Sequence, residues 1–108
     1  MPLGWALDSQ LRFEVEKEDL IQWIETLVEL PFKTIKTRTN DAQHSRYIKI
    51  DNLNRNRILA EAKMVPELKQ WMDLENVHEG FAVFGIRPYA GNLVYDKDRK
   101  IAYYNFWD

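Results

Sequence analysis

The chain has 108 residues, 45% hydrophobic and 30% charged, and its 15 basic and 17 acidic side chains leave a net charge of −2. This is the composition of a single globular domain over 1–108, large enough to fold on its own core, and it excludes a disordered chain. The absence of cysteine excludes a disulfide framework, a thiolate zinc site and thiol catalysis.

The opening residues 1–7 are apolar but carry no basic leader, and Asp8 interrupts them, so no signal peptide is expected and the expected compartment is the cytoplasm. No apolar run approaches the roughly 20 residues that a membrane span needs. Residues 11–15 read as a first strand. A helix is expected over 16–30, because Leu20, Ile21, Ile24, Leu27 and Val28 share one face. Glu16, Glu18 and Asp19 occupy its first turn, where the helix dipole favours acids, and Pro31 stops it.

Residues 32–38 and 46–51 are expected as two strands around a polar turn, with Ile48 and Ile50 alternating against Tyr47 and Lys49. A second helix starts near Asp51 or Asn52 and carries Ile58, Leu59, Ala62 and Val65. Pro66 breaks it and opens a short helix with Leu68, Trp71 and Met72 on its buried side. Residues 81–86, 91–96 and 100–107 are β in character, and Asp96-Lys97-Asp98-Arg99 makes a tight turn between the last two. The order β-α-β-β-α-α-β-β-β predicts an α+β fold: an antiparallel sheet with two or three helices packed on one face.

Catalytic motifs are thin. His44 and His78 have no second ligand at metal spacing, and Asp41, His44 and Ser45 crowd one loop, whereas a working triad converges from separate parts of a fold. Acid-x-lysine triplets at Glu61-Ala62-Lys63 and Glu67-Leu68-Lys69 lie on predicted helices, and Asp98-Arg99-Lys100 lies in the turn. No cofactor, metal or enzymatic activity is expected.

Charge is segregated. Residues 1–31 hold seven acids against Arg12 and Lys17, and residues 32–57 hold seven bases (Lys33, Lys36, Arg38, Arg46, Lys49, Arg55, Arg57) against Asp41 and Asp51. The basic stretch with Tyr47 suits a phosphate backbone with one stacked base. Aromatic residues crowd the end of the chain, at Phe81, Phe84, Tyr89, Tyr95, Tyr103, Tyr104, Phe106 and Trp107. Neighbouring strand residues point to opposite faces, so Tyr103 and Tyr104 enter different environments, and one sheet face is left to carry aromatic anchors.

The hairpin Gly91-Asn92-Leu93-Val94-Tyr95-Asp96 with Tyr103-Tyr104 resembles the closing hairpin of SUKH-type immunity proteins over less than a quarter of the chain, and no residue role is carried over from it.

These features point first to a small intracellular protein-binding module that occludes a partner's surface, in the manner of an immunity protein, antitoxin or phage inhibitor. Its partner is a toxin, a nucleic-acid-processing enzyme or a second copy of itself. The expected contact residues are the aromatic set Tyr89, Tyr95, Tyr103, Tyr104 and Trp107, or the acidic helix with Glu18, Asp19, Gln22, Glu25 and Glu29. The alternative is a nucleic-acid binder using residues 33–57.

Overall fold

The structure is a computed structural model that describes residues 8–37, 46–86 and 91–107. Among the described residues ten elements follow one another: β1 (Asp8–Glu14), α1 (Lys17–Val28), α2 (Phe32–Thr37), β2 (Arg46–Ile50), α3 (Arg55–Ala62), α4 (Pro66–Lys69), a 3-10 turn (Met72–Asn76), β3 (Gly80–Ile86), β4 (Gly91–Asp96) and β5 (Ile101–Trp107). The five strands form one antiparallel sheet in the order β1-β5-β4-β3-β2, so β1 and β2 are its two edges.

The first helix forms where its pattern places it. Leu20 and Ile24 are fully buried, and Glu18 and Asp19 lie in the first turn. It closes on Glu29, whose φ of 61° is left-handed and whose N–H returns to the Glu25 carbonyl at 2.8 Å.

Residues 32–37 form a helix and not the expected strand. Phe32 and Ile35 are its buried pair, at helical spacing. The Pro31 carbonyl accepts the N–H groups of Thr34 and Ile35, and the Glu25 carboxylate accepts the Phe32 N–H at 2.6 Å. These partners satisfy the Phe32, Thr34 and Ile35 donors of the first turn.

Before α3, Asp51 and Asn54 build the turn: Asp51 Oδ1 accepts the N–H groups of Leu53 and Asn54, and Asn54 Oδ1 accepts that of Asp51. Pro66 opens α4 as expected and Leu68 is buried, but Met72 is 88% exposed and does not join that core.

Helices cover both faces of the sheet, which corrects the expectation of one covered face. Leu20 and Ile24 of α1, with Phe32 and Ile35 of α2, pack on Phe81, Val83, Leu93, Tyr95, Ala102 and Tyr104. On the other side Ile58, Leu59 and Ala62 of α3, Leu68 of α4, and Leu74 pack on Ile50, Ala82, Phe84, Val94, Ile101 and Tyr103. Alternate residues of β3, β4 and β5 feed the two cores in turn.

At Gly85 the alternation breaks. Phe84 pairs with Asn92 and Ile86 with Gly91, so Gly85 is an extra residue, and its φ of +71° suits glycine. The bulge turns Ile86 into the core that holds α1.

Candidate functional site

The aromatic residues proposed as contact anchors are core. Tyr95, Tyr103 and Tyr104 are each at most 1% exposed. Tyr104 meets Trp23 at 4.9 Å between ring centroids on one face, and Tyr103 accepts the Arg99 guanidinium at 2.7 Å on the other. Both faces of the last strand do carry aromatic area, but each has a helical roof, so no bare aromatic sheet face exists for a partner among these residues. Tyr89 lies outside the described residues, and Trp107 is described only as a backbone position opposite Asp8.

The acidic helix is partly committed to the fold. Glu18, Asp19, Gln22 and Glu29 are exposed, whereas Glu25 is half-buried and holds α2 through the Phe32 N–H.

The basic residues divide sharply. Arg55 is structural: its guanidinium donates to the carbonyls of Val77, at 2.8 Å, and Glu75. Arg46 pairs with Glu61 and lies over the Phe84 ring, 5.4 Å from its centroid. Lys33 is exposed on α2, and Arg38 lies outside the described residues, as do Asp41, His44 and Ser45.

Lys36, Lys49 and Arg57 remain exposed, and among the described residues they make no ion pair. Together with Arg46, Tyr47, Ile48, Asp51 and Asn54 they line an open groove of about 560 Å³ along the β2 edge. Lys36 and Lys49 approach it from the α1 side of the sheet, and Arg46 and Arg57 from the α3 side. Lys49 also borders a smaller depression of about 300 Å³ where Lys17 and Lys97 meet Asp51 and Glu79, the last paired with Lys97 at 3.9 Å.

Tyr47 does not serve as a stacking platform. Its ring stacks on Phe81 at 5.6 Å and 29°, Phe32 meets it edge-on at 5.5 Å, and the Lys36 ammonium lies 5.7 Å from its centroid. Burial pushes its phenol above the ordinary value of 10.0, so it stays neutral. The outward carbonyl of Lys49 is already taken by Asn54 Nδ2 at 2.7 Å, which blunts this edge against an added strand. What the groove offers is four cationic side chains against one carboxylate, that of Asp51, whose Oδ1 is taken by the Leu53 and Asn54 N–H groups.

The acid-x-lysine triplets fall on α3, on α4 and in the β4–β5 turn, as their sequence positions indicate. No three of His, Asp and Glu gather as a metal site among the described residues.

One cluster escaped the sequence reading. Asp73 of the 3-10 turn accepts Arg12 of β1 at 3.0 Å and Arg99 at 3.1 Å, and Arg99 also bonds Asp96 and Tyr103. The hydrogen bonds from Arg12 hold the Asp73 carboxyl below its usual range. Arg12 and Asp73 are 61 positions apart, so no local pattern announces them. The network bolts β1 and the β4–β5 turn to the α3 side.

No protein-family model, curated protein or solved structure matches this chain.

Proposed function

We propose that this chain is a non-catalytic binding protein that occludes an acidic surface of a partner protein with the basic groove along β2. The observation that carries the reading is the convergence of Lys36, Lys49 and Arg57, which make no ion pair among the described residues, beside Arg46 in one open groove whose one acidic lining residue, Asp51, accepts the N–H groups of Leu53 and Asn54. Solvated cations with no ion pair among the described residues, on a chain of net charge −2, give the molecule a directional field, with acidic α1 elsewhere on the surface. Such a field steers an acidic partner to one edge and repels it from the other surfaces. A protein partner fits better than nucleic acid because the groove's aromatic ring is packed on both sides, leaving no platform for a base. The cytoplasm is the setting we read for it, since a domain held by two apolar cores without cysteine needs no oxidising compartment. No helix among the described residues is long and apolar enough to cross a membrane.

The test is affinity capture from the native host with three chains: wild type, Lys36→Glu/Arg57→Glu, and Glu18→Lys/Asp19→Lys. A stoichiometric protein held by the first and third and lost by the second is the expected result, with retention falling as salt rises. Loss only with the α1 variant moves the interface to the acidic helix. Capture abolished by nuclease treatment favours the nucleic-acid alternative, and no stoichiometric partner at low salt overturns the proposal.

A further inference from the structure

The opposite edge of the sheet has a different character. Val15 N–H donates to the Lys100 carbonyl at 2.9 Å, so Val15, Phe13 and Leu11 turn their backbone groups toward β5. Arg12 and Glu14 therefore turn theirs outward, and no strand pairs with that side among the described residues. The side chains divide the other way. Leu11, Phe13 and Val15, with Leu20 and Trp23, line an almost wholly apolar groove of about 300 Å³ on the α1 side. Arg12 and Glu14 project on the α3 side, where Arg12 spends Nε and Nη2 on Asp73 and keeps Nη1 free of any described partner.

We propose that a second copy of this chain pairs with β1 in antiparallel fashion, joining two five-stranded sheets across a two-fold axis centred on Phe13. The register follows from the strand itself. Outward backbone groups meet only when even-numbered positions face even-numbered positions. Centring on Arg12 or on Glu14 sets like charges opposite one another, and centring on Leu11 sets Glu14 opposite Asp8. Centring on Phe13 sets Arg12 opposite Glu14 of the second copy, twice, within a hydrogen-bonded pair. The same register places Phe13 against Phe13 and Leu11 against Val15, so each apolar groove continues into the other. Such an isologous contact closes the exposed edge on both copies at once.

This contact lies on the edge opposite the basic groove, so its failure leaves the proposed function standing, and the reverse. The full chain, in sedimentation equilibrium at high micromolar concentration, is expected to be a dimer. Glu14→Lys replaces both ion pairs by repulsion and weakens the dimer by about tenfold or more, Glu14→Gln weakens it less, and Lys69→Glu on α4 leaves it unchanged. The chain has no cysteine, so single cysteines report the register directly. Phe13→Cys pairs with itself at a Cα separation of about 4.5 Å and links under mild oxidation, whereas Glu14→Cys is displaced by two positions and does not. A wild-type monomer, a dimer indifferent to Glu14→Lys, or linkage at position 14 in preference to 13 overturns the proposal.

Discussion

Gly80 has no room for a side chain. A Cβ there would stand 1.8 Å from the Tyr95 carbonyl oxygen, where two strands meet backbone to backbone. Gly80→Ala is expected to cost about 2–4 kcal/mol, read as a lower denaturant midpoint at unchanged slope. Gly85→Ala meets nothing within 4 Å and pays only for its φ of +71°, about 1 kcal/mol. Equal losses at the two sites would show that backbone conformation, and not the carbonyl clash, sets the cost. Asp73 gives a second residue-scale expectation. Its folded-state carboxyl titrates below the ordinary 3.8, so its stabilisation is complete above that value and disappears as pH falls through the lowered one. Asp73→Asn should therefore be less stable than wild type at neutral pH, and the gap should narrow on acidification. A gap independent of pH would remove the charge of Asp73 from the account.

At the scale of elements, legibility followed locality. The face of α1, the start of α4 at Pro66 and the β4–β5 turn are written in neighbouring residues, and each lies where its pattern places it. Residues 32–37 read as a strand because threonine and isoleucine suit one, while the features that make the helix include a carboxylate from the preceding helix. Glu25→Ala is accordingly expected to cost about 1–2 kcal/mol and to loosen α2, seen as faster amide exchange from 32 to 37 with α1 still protected. Unchanged exchange there would mean that packing of Phe32 and Ile35 suffices. The covering of both sheet faces did leave a trace in the sequence. Phe81-Ala82-Val83-Phe84 and Ile101-Ala102-Tyr103-Tyr104 have no polar alternation, which is the signature of strands buried on both sides. Read as surplus aromatics, those residues suggested an interface; read as a missing period, they announce a second layer. The candidate groove was half legible. The basic run was visible, but ion pairing of Arg46 and the structural use of Arg55 depend on distant groups, and those bonds separate the solvated cations from the committed ones.

The described residues form one sheet held between two apolar layers, and beside the buried Asp96 carboxylate the ionisable groups packed in those layers are phenols. Burial is the main cause that raises the phenols of Tyr47, Tyr95 and Tyr103 above 10.0. A raised folded-state value leaves stability intact below 10 and removes it as pH climbs from there through the folded values, because the unfolded chain ionises first. Phenolate absorbance and loss of circular dichroism are expected to rise together in alkali, and phenolate formation near 10 with native dichroism would contradict this. Closure of the sheet also sets the order in which the molecule can form. Glu16 and Lys100, which bridge the ends of β1 and β5 at 3.0 Å, are 84 positions apart. The β4–β5 hairpin closes locally on a timescale of about microseconds, whereas β1 must wait for a long loop to close. Until it arrives, β5 is itself an edge, and Ile101–Trp107 holds no charge, no proline and four aromatic rings. The strand that is safest in the finished molecule is thus the chain's main aggregation hazard while β1 is still absent.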